Sequence, residues 1–297
     1  MSPKLQTFCQ RLFSTIILLS LLSGAVWWNE PIGYAVLIAL FCNLTTWEWF
    51  RMLKGSGANR GLVLIGGMVY PWIMLSTVLM RRSGATWCLT LAVGLLVVYA
   101  FIAFLGELFR MDYRGRSGAE ALKSMGLTLL SFIYPGWLFC FAFKALLIHD
   151  ISILLWLILF TKMSDIWAYC CGVLLGRRFI KRPFSPVVSP KKSWEGIIGS
   201  YIITLTAGYF LAKYMLELPS SHAFLFSFWV FGTLLFILSV AGDLAGSLIK
   251  RGVAVKDSGS LLPGIGGIFD LIDSPAFTMA FSWAVCPLVC PLISVFL

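Results

Sequence analysis

Long apolar stretches separated by short polar ones set the architecture of this chain. Mostly apolar runs cover about 13–28, 33–50, 62–80, 87–105, 127–143, 151–175, 197–215, 224–249 and 275–296. A helix needs roughly 20 such residues to cross a bilayer, so nine membrane helices are predicted. The first run follows Lys4 and Arg11, as a signal peptide would. Its Trp27-Trp28 end suits an interfacial anchor better than a cleavage site, and it is read as a span. No low-complexity tract or 20–50-residue repeat breaks the pattern. The expected fold class is all-α, a polytopic membrane protein forming one integral unit. Residues 1–150 supply scaffold helices, and 151–297 form the region that carries chemistry.

Composition agrees with this picture. Of 297 residues, 59% are hydrophobic and 12% charged, against roughly 25% charged in a soluble domain. The net charge of +10 is mostly an orientation signal. With a cytoplasmic N-terminus, the inner segments carry Lys4, Arg11, Arg51, Lys54, Arg60, Arg110, Arg114, Arg116 and Lys123. They also carry Arg177, Arg178, Lys181, Arg182, Lys191, Lys192, Lys250, Arg251 and Lys256. The outer side keeps only Arg81, Arg82, Lys144 and Lys213, as the positive-inside rule requires. No nucleic-acid module accompanies the charge, and no nucleic-acid partner is expected.

The first half offers few candidates for chemistry. Its one long polar segment, 110–126, is expected to be a loop that lies on the membrane surface, in part as a short amphipathic helix. Glu48 stands in Thr46-Trp47-Glu48-Trp49-Phe50-Arg51 and is read as facing the headgroups beside Arg51. Seven of the eight cysteines fall in apolar spans without zinc-type spacing, and are read as packing residues. His149 and His222 fall on the outer side, which argues against histidine chemistry at an inner site.

In the second half, charges collect at the inner ends of spans. Lys162 and Asp165 are three apart on one helix and can touch. A structural ion pair and a polar cavity lined by Asp165 with Ser164 and Tyr169 both remain open. The segment 176–196 contains Pro183, Pro186 and Pro190, which forbid a long helix. Its Lys191 and Lys192, beside a Ser-Pro turn, can reach phosphate oxygens as point charges.

The densest stretch is 239–273, with Asp243, Asp257, Asp270 and Asp273 among only 13 acids in the chain. On a helix, Asp243, Ser247, Lys250 and Arg251 form one polar stripe. Asp270 and Asp273 point the same way if their turn is helical, and Ser274-Pro275 reads as an N-cap and first-turn proline for the last span. Gly264, Gly266 and Gly267 allow close backbone approach and an anion nest. Opposed charges at one cytoplasmic site suit a metal-bound polyphosphate, because magnesium takes carboxylate and phosphate oxygens. Phosphoryl or nucleotidyl transfer asks the protein mainly for positioning and charge compensation.

These residues resemble the signature of the phosphatidate cytidylyltransferases (CDP-diacylglycerol synthases). It is carried by Ser247-Leu248-Ile249-Lys250-Arg251, then Lys256-Asp257-Ser258-Gly259, Leu262-Pro263-Gly264, Gly266-Gly267, Asp270 and Asp273. Ser189-Pro190-Lys191-Lys192-Ser193-Trp194-Glu195-Gly196 resembles a second motif of that family, with Ser193 where threonine is common, and 164–169 a third. The resemblance implies phosphatidic acid and CTP as substrates and Mg2+ as cofactor, one or two ions. It implies Asp243, Asp270 and Asp273 as metal ligands, and Lys250, Arg251, Lys256 and Asp257 as the catalytic set. Ser189, Lys191, Lys192, Ser247, Gly264, Gly266, Gly267 and Asp165 would bind substrate. A place in the bacterial inner (plasma) membrane with a cytoplasmic active site follows from the resemblance and the charge pattern, and a homodimer from the resemblance alone.

Two positions depart from the family. Ile265 stands where histidine is common, and Leu271 where arginine is common. With the three aspartates and the lysines retained, an active enzyme is expected. A CTP-dependent lipid kinase is the rival within enzymology, and a transporter the rival outside it. Acids gathered at inner ends, not spread through span centres, disfavour the transporter.

Overall fold

A computed structural model describes residues 31–79, 85–115, 117–143, 151–216, 222–263 and 266–289, with scattered positions between 13 and 27. The described residues form eight helices and one short hairpin. The first helices are α1 (Pro31–Met52), α2 (Arg60–Leu79), α3 (Ala85–Arg114) and α4 (Gly118–Phe132), the last continued by a π-helical turn (Ile133–Leu138). There follow α5 (Ile151–Leu175), strands β1 (Pro183–Ser185) and β2 (Ser189–Ser193), α6 (Trp194–Met215), α7 (His222–Gly252) and α8 (Phe269–Val289).

Six described stretches are long and apolar enough to cross a bilayer: Ile32–Met52, Thr90–Tyr113, Gly118–Phe143, Ile151–Leu175, Trp194–Met215 and Leu225–Gly252. Each coincides with an expected span. A shorter apolar helix, Arg60–Ser76, occupies the third expected position. The expected span 13–28 lies outside the described residues apart from its scattered positions, as does the last span beyond Val289. The protein is an all-helical, multi-pass membrane protein. On α3 the outward-facing side chains are themselves apolar, among them Val97 and Phe101, each 62% exposed, as a lipid-facing helix requires.

Two local expectations are corrected, and the exclusion of a long helix from 176–193 is borne out. The segment 110–126 is not a surface loop. α3 runs on to Arg114, and α4 starts at Gly118 behind a capping box in which Glu120 N–H donates to Ser117 Oγ and Ser117 N–H to the Glu120 carboxylate. The proline-rich segment folds as an antiparallel hairpin, pairing Pro183 with Ser193 and Ser185 with Ser189. The last helix begins at Phe269, so Ser274 and Pro275 lie inside it and are not its cap.

The chain divides into two compact units, one of 1–147 with 252–272, the other of 148–251 with 273–297. Helices in lipid gain little from hydrophobicity alone, and they associate through close backbone approach and hydroxyl bonds. In the first unit a Cβ on Gly66 would lie 2.3 Å from the Tyr99 ring, and one on Gly67 2.4 Å from Thr46 Oγ1. Tyr99 stacks on Phe132 at 4.1 Å. Arg110 donates to Glu107 (2.5 Å) and to the Gly57 carbonyl (3.1 Å), and Ser124 Oγ donates to Glu107 (2.7 Å).

The second unit uses the same devices. Phe160 fills the space a side chain at Gly208 would need, 2.5 Å from the missing Cβ, and Trp156 Nε1 donates to the Gly208 carbonyl at 3.0 Å. Ser164 and Ser239 hydroxyls meet at 2.6 Å, and Thr161 and Thr278 at 3.0 Å. These bonds fix α5 against α7 and α8 next to the charged residues of the same helices.

Candidate active site

In the second unit, the hairpin leads into α6 through Ser193, whose Oγ accepts from Gly196 N–H at 3.1 Å. Glu195, in the first turn of α6, turns its carboxylate back onto the preceding loop. It accepts from the N–H groups of Arg177 (3.1 Å), Phe179 (2.9 Å) and Ile180 (2.6 Å). The hairpin base is thereby fixed. Strand alternation then turns Lys191 outward and brings Lys192 into an ion pair with Asp243 on α7.

Around that pair lies a network of opposite charges. Lys162 donates to Asp165 at 3.3 Å, as their spacing predicts. Asp165 is within electrostatic reach of Asp243 and Lys192 as well. Asp273, 3% exposed, feels Lys162, Asp243, Asp165 and Lys250, the last 9% exposed. Two glycines of α7 admit Asp273: a Cβ on Gly242 would sit 2.8 Å from its carbonyl oxygen, and one on Gly246 2.9 Å from its Oδ2. Ser247 is half-buried on the same helix, and Arg251 is exposed.

In the first unit, the segment 252–272 folds back on itself. Leu262 and Gly266 exchange both backbone bonds (3.0 and 2.9 Å), and residues 264 and 265 lie outside the described residues. Gly266 adopts φ +123, where a side chain would be strained. Asp270 Oδ2 accepts from Gly267 N–H (3.2 Å), Ser258 Oγ (3.0 Å) and Ser258 N–H (3.4 Å). The Gly266 amide is therefore taken by the Leu262 carbonyl and the Gly267 amide by the Asp270 carboxylate, so both serve the segment's own geometry. Lys256 and Asp257 are exposed, and Asp257 lines a cavity of about 280 Å³ with Glu48, Arg51, Ser258 and Leu261.

The residue that sequence reasoning misplaced is Glu48. It does not face the headgroups: it is 2% exposed. Its carboxylate accepts from Ile268 N–H (2.8 Å), Phe269 N–H (2.9 Å) and Ser258 Oγ (3.1 Å). The α8 N-terminus is thus capped by a side chain from α1, not by Ser274.

Of the sequence-predicted site residues, Asp165, Lys192, Asp243, Lys250 and Asp273 come together in the second unit. Gly266, Gly267 and Asp270 come together in the first. Ser189 is half-buried in β2, and Gly264 lies outside the described residues. Among the described residues, no three His, Cys, Asp or Glu side chains form a metal-sized group. Magnesium does not require one, since it commonly takes one or two carboxylates and completes its shell with water and phosphate. The all-carboxylate donors here fit that ion.

Relatives share this sequence over most of its length. A phosphatidate cytidylyltransferase of Pseudomonas aeruginosa is 32% identical over 285 residues, 93% of this chain and 97% of its own. A phosphatidate cytidylyltransferase of Mycobacterium bovis is 29% identical over 272 residues, 87% of this chain and 82% of its own. The chloroplastic phosphatidate cytidylyltransferase 4 of Arabidopsis thaliana is 45% identical over 121 residues, 41% of this chain and 29% of its own. The model of the Cytidylyltransferase family matches residues 9–289, so the chain belongs to that family.

Proposed function

We propose that this chain makes CDP-diacylglycerol, transferring CMP from CTP to phosphatidic acid with release of pyrophosphate. The observation that carries this reading is the charge-balanced network of the second unit. Asp165, Asp243 and Asp273 there face Lys162, Lys192 and Lys250. Family membership and the activity named for the relatives support the choice of substrates.

A balanced set of this kind can exchange partners. Lys192 can leave Asp243 for a phosphate oxygen as a cation takes its place beside the carboxylate, and Lys250 can do the same beside Asp273, so that no charge is left uncompensated in an apolar region. Magnesium held by one or two carboxylates, those of Asp243 and Asp273 in the second unit or that of Asp270 in the first, would offset phosphate charge and make the α-phosphorus more electrophilic. A phosphate oxygen of phosphatidic acid, ionised near neutral pH, attacks that phosphorus. The new P–O bond forms as the bond to the bridging oxygen of the β-phosphate breaks, and pyrophosphate departs with the electron pair. The lysines compensate charge that builds during the displacement. Exposed Lys191, Arg251 and Lys256 draw the polyanion in, and Asp257 orients a neighbouring base. In this reading the headgroup reacts at the cytoplasmic face of the plasma membrane, where CTP is available, while the acyl chains stay in the bilayer.

Purified protein given phosphatidic acid, magnesium and CTP labelled at the α-phosphate should place label in lipid. Label entering lipid only from the γ-phosphate would overturn the reading in favour of a lipid kinase.

A further inference from the structure

We propose that Glu48 of α1 is a positioning residue for this transfer: it holds Ser258 and the Ile268–Phe269 start of α8 and, through Ser258, the Asp270 carboxylate in working geometry. The inference rests on the reading above that the 252–272 segment serves nucleotidyl transfer.

A carboxylate in a membrane-spanning helix is costly to bury without partners. Glu48 finds three, all on the loop: Ile268 N–H, Phe269 N–H and Ser258 Oγ. Two of these are amides at the start of α8, where helix geometry leaves N–H groups without intrahelical acceptors and favours an anion. The loop is shaped to admit the carboxylate. A Cβ on Gly259 would lie 2.6 Å from Glu48 Oε1, and one on Gly267 2.4 Å from Oε2. Ser258 Oγ then stands 3.1 Å from Glu48 Oε2 and 3.0 Å from Asp270 Oδ2. One hydroxyl hydrogen therefore serves two acids, and any shift of Glu48 changes what Ser258 gives to Asp270. The same carboxylate lines the cavity beside Arg51 and Asp257, so its position also shapes the pocket wall.

The test uses the full-length protein in detergent or vesicles. Glu48→Gln keeps the size but sets an amide NH2 against one of the donors. Its kcat for CDP-diacylglycerol formation should fall about tenfold or more, with KM for CTP changed by less than about threefold. Amide hydrogen exchange should accelerate within 256–272 and stay unchanged in α1 to α4. Ser258→Ala should give a similar fall, and the double variant should lose no more than the worse single variant, since the two act through one bond network. Glu48→Asp, which keeps the charge but shortens the reach, should fall between wild type and Glu48→Gln. Wild-type kcat with wild-type exchange in Glu48→Gln would overturn the proposal, as would multiplying losses in the double variant. Uniform acceleration of exchange across α1 to α4 would also overturn it, by marking a purely structural role. Exchange is measured without substrate, so failure of the unaltered protein to make CDP-diacylglycerol would sink the proposed reaction and leave this test in force.

Discussion

Lys192 on β2 forms an ion pair with Asp243 on α7, joining the hairpin to the C-terminal half of a membrane-spanning helix. Both side chains are partly accessible, at 19% and 28%. A pair this accessible contributes about 1 kcal/mol or less to stability. Lys192→Ala should lower kcat/KM for CTP about 10- to 100-fold, and Asp243→Asn should lower kcat about 10²- to 10³-fold. Melting temperatures should change little. Steady-state kinetics alongside thermal unfolding in the same detergent checks both.

Glycine at 246 is required by contact, not by backbone freedom, because a methyl group there would press on the Asp273 carboxylate. Gly246→Ala should cost activity about tenfold or more, the result of displacing a reacting-site group by a few tenths of an ångström. Gly126→Ala, where nothing lies within 4 Å of the new methyl, should keep full activity. Paired assays of the two variants separate contact from helix propensity.

Loss of the Glu195 carboxylate should loosen the loop it caps. Glu195→Gln weakens bonds from three backbone amides, and hydrogen bonds to a charged group are worth about 1.5–3 kcal/mol. The loop carries trypsin sites after Arg177, Arg178 and Lys181, whereas the bond between Arg182 and Pro183 resists the protease. Limited trypsin digestion should cut the variant there at least several times faster than the wild type.

Asp270→Asn should abolish most activity, since the replacement keeps an oxygen for Ser258 and Gly267 but carries no charge for a cation. Ile265→His, which restores the common family residue, should change kcat less than about threefold. The same magnesium-dependent CTP assay measures both.

Much of this protein was legible from its sequence, and the misses share a cause. Apolar runs located the six long helices, and the i, i+3 spacing of Lys162 and Asp165 predicted their contact. The charges of 110–126 suggested a loop, although Ser117 and Glu120 already spelled a capping box and Arg110 lies one turn from Glu107. Ser274-Pro275 was a plausible local cap, but a carboxylate 220 residues upstream takes that role. Nothing local to Glu48 names such a partner. Its only cue was a carboxylate between Trp47 and Trp49 in an apolar run. Asp165, expected in the substrate-binding set, is brought by helix packing into the field of Asp243 and Asp273.

The bond between positions 48 and 268 has a practical corollary for anyone wishing to cut this enzyme down. A fragment starting near 151 would retain every signature residue yet begin its final helix with two amides that have lost their acceptor. Chimaeras built from distant relatives must carry the acid and its accommodating glycines together, because heredity has divided one structural joint between opposite ends of the gene product.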